Sequence, residues 1–467
     1  MSTTVEAAAE QQGAAPSPAG PLADGEALGP LPPRVELPKT LQTLRVSVRQ
    51  IEFVSRAHRE LGDVFRIDTL AGRREVVAVT SHPDHVKSLF TARPEQAPSI
   101  TGESPLRPIV GPNSVLTAIG PRHMRQRKLL LPPFHGEAVE RYTRMIAEAA
   151  NREVDRWPLG TPFALAPRMQ AITLDVIMAG IFGIEGKPAP GTPEHRLRRA
   201  IRVLVNLSTR PEAQLVELVN AGKNEAVGIT KAAMSYLDRH VYAVIEARRR
   251  AERGTDILSL LLDAETEEDE RLTDGELRDE LLTLVLAGHE TTANSLAWAF
   301  ERLLRHPQAY DRLREVARSG EDTEGYLEAT IHETMRSRPV IPIIGRIVTV
   351  PWRLGEYGVP ADSSILMSIL LVHHREDVYP EPYAFRPERF LGRKPGTYTW
   401  IPFGGGIRRC LGSALAMAEQ RVVLETIARR TDLEAPDPRP ERARHRNVTM
   451  IPAQGAQVIV TARHPAR

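Results

Sequence analysis

The segment from Thr273 to about residue 304 constrains this chain more than any other. Thr273-Asp274-Gly275-Glu276 is a capping-box pattern that starts a helix. The residues after it are apolar on nearly every side through Leu281–Ala287. A surface helix carries an apolar stripe, whereas one that is apolar all round is buried. About 30 helical residues span roughly 45 Å, enough to cross a domain. Other layers must therefore wrap this helix. The pattern is helical from about 83 to 335, with clear stretches at 136–156 and 231–252, and again from about 411 to 430. Val64–Ile67 and Val76–Val79 are β-branched runs around a turn containing Gly72, which predicts a hairpin. Strand-like segments return at 346–350, 364–372 and 448–461. The fold class is mainly α with a small β component (α+β).

Residues 1–38 are rich in Ala, Pro and Gly without apolar periodicity, which predicts a disordered tail before a single domain over 39–467. No segment reaches the ~18 apolar residues of a membrane span, and the N-terminus lacks a secretory pattern. The expectation is a cytoplasmic protein. With 61 Lys+Arg against 59 Asp+Glu, the charge balance gives no reason to expect a nucleic-acid partner.

Composition matters most through its single cysteine, Cys410. One thiol excludes an intramolecular disulfide framework and every multi-cysteine zinc or iron–sulfur site. Two readings remain: a small buried apolar residue, or a reactive or ligating thiol. Its context is Phe403-Gly404-Gly405-Gly406-Ile407-Arg408-Arg409-Cys410-Leu411-Gly412, at a loop-to-helix junction. Glycines allow close backbone approach. Amide dipoles at a helix start stabilise a thiolate. A phosphate-cradling loop is disfavoured, because the Gly-Lys-Ser/Thr ending is absent.

The stretch resembles the haem-binding signature of the cytochrome P450 family, Phe-x-x-Gly-x-Arg-x-Cys-x-Gly. Phe403, Gly406, Arg408, Cys410 and Gly412 fill its fixed positions. The similarity spans roughly residues 40–463, with the other motifs in the family's order. It implies a triangular P450 fold, with haem b between the long central helix and the helix after the cysteine, and Cys410 as axial thiolate. Ala287-Gly288-His289-Glu290-Thr291-Thr292 resembles the acid–alcohol motif, so Glu290 and Thr291 are implied in proton delivery during activation of the co-substrate O2. A zinc site is excluded there, since no second His stands at i+4. Glu333-Thr334-Met335-Arg336 resembles the Glu-x-x-Arg motif, and Arg389 of Pro387-Glu388-Arg389-Phe390 its third partner, a structural set that fixes the cysteine loop. His123 and Arg127, four apart and so on one helix face, match the family's propionate-binding helix. Arg346 and Arg408 complete that set. Where many members have Asn-Arg-Asp, this chain has His373-His374 before Arg375, and no catalytic role is assigned there.

The same likeness implies a monooxygenase that hydroxylates or epoxidises a small molecule. Aliphatic wall residues (Ile100, Leu106, Ile109, Val110, Leu286, Ala287, Val340, Ile341, Ile343, Ile344 and Met450) point to a hydrophobic substrate such as a fatty acid, terpenoid or steroid. Val448 belongs to the same terminal loop. No nicotinamide or flavin fingerprint is present, so electrons are expected from a ferredoxin or flavodoxin with its NAD(P)H reductase. Arg125, Lys128, Arg409 and Arg421 are candidates for a basic docking patch, with ordinary solvated charges as the alternative. The chain is expected to be a monomer. Two alternatives remain: a non-catalytic haem sensor or carrier, and the same fold catalysing oxidative coupling or desaturation.

Overall fold

The computed structural model describes residues 15–466, apart from 16, 71–73, 105, 135–136, 185–187, 209–222, 224, 253, 266–270 and 447. The central helix runs Asp274–Leu303 and begins with the expected box: Thr273 and Glu276 cap each other's backbone. Both its faces are covered. Leu277, Leu281, Leu282, Val285, Leu296 and Phe300 are each almost fully buried. The helix Ala166–Phe182 crosses it closely, and a Cβ on Gly288 would lie 2.6 Å from Ile177 Cδ1. That glycine permits the helix contact. Helices Glu137–Val154 and Ser413–Arg430 join the same apolar core.

The β component is peripheral. Val64–Ile67, Val77–Thr80, Ser363–Ser368 and Ile343–Val348 form a four-stranded sheet in that order. The two middle strands are parallel and the outer pairs antiparallel. The predicted strand 364–372 ends at Ser368, whose hydroxyl accepts from the Leu371 amide and caps the short helix Ile369–His373. A hairpin of Ala443–Arg446 and Thr449–Pro452 lies against the central helix.

The expected tail needs a correction from residue 17 onward. Ala19–Pro21 pairs antiparallel with Trp352–Leu354, and Val35 is buried. The Leu22 amide donates to the Pro351 carbonyl, and the Gly358 amide to that of Pro30. The segment is ordered by backbone pairing, with strands more than 300 residues away for its first part and with Arg66 for Pro33–Val35, which leaves no local periodicity to read.

Candidate active site around Cys410

The loop before Cys410 is held from both ends. The Cys410 amide donates to the Phe403 carbonyl at 2.9 Å, and Gly412 precedes the helix Ser413–Arg430. Cys410 keeps accessible surface and is not part of the packed apolar core. Burial pushes its thiol up, against the opposing pull of the Gly412 amide and of Arg127 and Arg409. The chain alone therefore favours the protonated sulfur.

At two of the three glycines the expected close approach is to Phe90. A Cβ on Gly405 would sit 2.1 Å from Phe90 Cδ2. One on Gly406, whose φ is +62°, would sit 2.2 Å from the Phe90 carbonyl oxygen. Phe90 ends the helix Pro83–Thr91, and its ring lies 5.9 Å from the Arg346 guanidinium. The glycines let this helix end seat the cysteine loop.

Beside the loop lies a cationic cleft lined by His123, Arg346, Arg408 and Phe90 among others. Arg408 donates to the carbonyls of Leu116 (2.6 Å) and Ala118 (2.8 Å) and to Thr101 Oγ1 (2.7 Å). Arg127 donates to the Arg409 carbonyl at 2.7 Å. Burial pulls the Arg346 and Arg408 guanidiniums down to about 10; the neighbouring cations Arg346 and Arg127 add to the effect on Arg408. Burial, with all three arginines, holds His123 at about 3. Among the described residues, none of these four groups has a carboxylate partner. Three guanidiniums, one buried and two half-buried, gathered without an acid are costly and fit a ligand carrying carboxylates. Together with the lone sulfur, this donor set fits haem.

Glu333, Arg336 and Arg389 come together, and their bonds reach the segment from His373 to Ala384. Arg336 and Glu333 are fully buried and bidentate, at 2.6 and 2.8 Å. Arg336 also donates to the carbonyls of His373, Pro382 and Ala384. Arg389 stands 3.5 Å from Glu333 and donates to the carbonyls of Pro380 and Glu381. His373 joins them, since its Nε2 accepts from the Ile401 amide at 2.8 Å. Burial holds its pKa well below the usual histidine value, so that nitrogen is free to accept. The sequence marked His373 as a departure from the family's pattern but pointed to no such role.

On the central helix, Thr291 Oγ1 donates to the Ala287 carbonyl one turn earlier at 2.6 Å. Ala287 is exposed within this otherwise buried helix. Glu290 meets Arg446 at 2.5 and 3.0 Å and Thr449 Oγ1 at 3.3 Å. The sequence carried no sign of that pairing across 156 residues. The aliphatic candidates divide. Ile344 Cδ1 approaches Gly404, and Ile100 packs over Gly345. Val110 and Met450 are each 1 % exposed. Ile109 and Leu286 are half-buried. Leu106 precedes the short helix Arg107–Val110. Val340 accepts from the Met450 amide, and Ile341 packs on the sheet core. Ile343 lines a separate groove of about 210 Å³ with Gln50, Ile51 and Val54. Of the basic patch, Lys128, Arg409 and Arg421 are exposed, while Arg125 is bound to Glu276 at 2.9 Å.

The family model described as Cytochrome P450 matches residues 30–460. The chain belongs to the cytochrome P450 family. It is similar to "Putative cytochrome P450 137" of Mycobacterium tuberculosis, with 39% identity over 82% of this chain and 80% of that one. Similarity to "Putative cytochrome P450 138" of Mycobacterium bovis is 38%, over 93% of this chain and 97% of that one. The fold matches the solved structure titled "Retinoic acid bound cyanobacterial CYP120A1" with a TM-score of 0.76 at 22% identity, covering 92% of this chain and 99% of that one. As a P450, this chain is a monooxygenase of the family that uses haem and dioxygen. Among the described residues, no helix of this P450 is long and apolar enough to cross a membrane.

Proposed function

We propose that this P450 inserts one oxygen atom of O2, by hydroxylation or epoxidation, into a hydrophobic small molecule such as a fatty acid, terpenoid or steroid. The observation that carries the haem assignment is the trio Arg127, Arg346 and Arg408 beside Cys410, with no carboxylate partner among the described residues. When bound there, haem supplies the activation of dioxygen and the protein supplies orientation and protons.

Cys410 is the residue that would ligate the iron. Because burial favours its protonated form, ligation carries the release of that proton. Arg127, Arg346, Arg408 and His123 would hold the two haem carboxylates, while Phe403, Gly406 and Gly412 shape the loop. Thr291 would hold and pass a proton: its hydroxyl hydrogen occupies the Ala287 carbonyl, leaving the oxygen lone pairs to accept. Glu290, one residue earlier, would resupply that proton. Glu333, Arg336 and Arg389 keep the loop in place. Val340, Ile344, Leu286 and Ala287, with their aliphatic neighbours, would orient substrate by exclusion of water.

Electrons come from a separate ferredoxin or flavodoxin with its NAD(P)H reductase, docking near Lys128, Arg409 and Arg421. The deciding experiment is the carbon monoxide difference spectrum of the reduced holoprotein. The red-shifted Soret band of thiolate ligation is expected, and a folded, haem-loaded protein without it refutes the assignment. A lipid and terpenoid panel scored by Soret shifts tests the substrate class. A response to polar compounds alone overturns it.

A further inference from the structure

The carboxylate of Glu290 reaches away from the helix layer to a β-hairpin. Its Oε1 accepts from Arg446 Nε at 3.0 Å and from Arg446 Nη2 at 2.5 Å. Thr449 Oγ1 stands 3.3 Å from the same oxygen. Arg446 and Thr449 are directly opposite each other across the antiparallel pair. Residues so placed point to one face of a hairpin with Cβ atoms about 5 Å apart. The Arg446 guanidinium thus meets this oxygen with two N–H donors, while the Thr449 hydroxyl, which donates to the Arg446 carbonyl at 2.9 Å, stands beside it.

That unit is fastened to the expected substrate wall. The Met450 amide donates to the Val340 carbonyl at 2.7 Å. Trp298 Nε1, two turns beyond Glu290 on the central helix, donates to the Met450 carbonyl at 3.0 Å. The hairpin thus grips the central helix at two levels and the Val340 segment at a third. Among the described residues, Arg446 is the cation that contacts Glu290, and both side chains are largely shielded, at 14 and 24 % exposure. His289 beside them is driven neutral by burial. A glutamate free to rotate samples several directions; two guanidinium N–H donors on one of its oxygens hold it to one.

We propose that Arg446, supported by Thr449, is a positioning residue for proton delivery by Glu290. The hairpin, and through it the wall carrying Val340 and Met450, then sets where the acid points. The inference rests on the proton-delivering role assigned to Glu290 above.

The test uses full-length holoprotein with a plant-type ferredoxin and its NADPH reductase, with no added organic substrate. Each NADPH then gives two electrons, and dioxygen takes them up with two protons as hydrogen peroxide. NADPH oxidation is followed in H2O and D2O for wild type, Glu290→Gln, Arg446→Leu, Arg446→Lys and the Glu290→Gln/Arg446→Leu double variant. A general acid contributes on the order of 10²-fold. Glu290→Gln should approach that loss with a raised solvent isotope effect. Arg446→Leu should lose about tenfold with the isotope effect shifted the same way, and Arg446→Lys should restore most of both. The double variant should be no slower than Glu290→Gln. A second readout is thermal stability, where the two single losses should not add.

If Glu290→Gln leaves the isotope effect unchanged, the role of the acid itself falls, and this inference with it. If Glu290→Gln raises it while Arg446→Leu stays at the wild-type value, the inference alone is refuted. Additive thermal losses also refute it. Should Arg446→Leu fail to fold, Thr449→Val replaces it, with a smaller shift in the same direction expected and no shift counting against the proposal.

Discussion

Gly405→Ala is the most informative small change to this protein. Gly405 has an extended backbone, with φ −166°, so alanine brings no conformational strain. The cost comes from packing alone. The new methyl would sit 2.1 and 2.2 Å from Phe90 Cδ2 and Cε2. Carbon pairs settle near 3.5–4.0 Å, so about 1.4 Å of movement is required. Phe90 has little room to give it. The residue is 5 % exposed, and its carbonyl already abuts Gly406. Over-packing costs about 1–3 kcal/mol, and this site belongs at the upper end. At about 2.1 cal/mol/K per residue, the unfolding entropy of the whole chain is roughly 1 kcal/mol/K, so Tm should fall by about 3 °C. Thermal unfolding of haem-loaded and haem-depleted protein measures it. The loss should appear in both, since the clash is with Phe90, and Phe90→Leu should relieve it. Gly404→Ala is the contrast. Its φ is +65° and its nearest neighbour, Ile344 Cδ1, is 3.8 Å away, so it should cost about 1–2 kcal/mol through backbone strain and gain nothing from Phe90→Leu. A Gly405→Ala protein with wild-type Tm, or one indifferent to Phe90→Leu, would refute this account of the glycines.

Arg336→Lys keeps the charge but leaves at least two of its five acceptors unpaired; denaturant unfolding should show a loss of about 3–5 kcal/mol, and a loss below 1 would contradict the network. Glu280 is held at about 8 by burial. The folded chain thus keeps a proton that the unfolded chain loses near 4.5, so stability is highest below that pH and declines toward pH 8. Glu280→Gln keeps the acceptor for the Val115 amide and should shrink the difference between denaturant midpoints at pH 5 and pH 8; an unchanged difference would place the titration elsewhere. Cys410→Ser should leave a folded chain whose haem content or Soret spectrum is altered, and normal thiolate spectra in that variant would remove Cys410 from its assigned place.

Parts of this site were legible because they are local. A capping box, an all-round apolar helix and the Phe403–Gly412 motif are each written within a few turns of chain. So was the Glu333/Arg336 face, whose spacing alone pairs them. Other parts had no local trace. Phe90 explains Gly405 and Gly406 from a helix that ends more than 300 residues earlier. His373 acts through a neutral ring that only burial produces. Ile343 and Ile344 look alike in sequence, yet one lines a groove by Gln50 and Ile51 while the other approaches Gly404.

By itself, then, the sequence determined the helical class, the family and the sulfur, because backbone propensity and short motifs are properties of neighbouring residues. The tertiary structure alone decided which cations gather around the cysteine loop, which hairpin holds Glu290 and which residue the loop glycines accommodate. Those outcomes depend on desolvation and on contacts between distant segments, and both come into being only when the chain closes on itself.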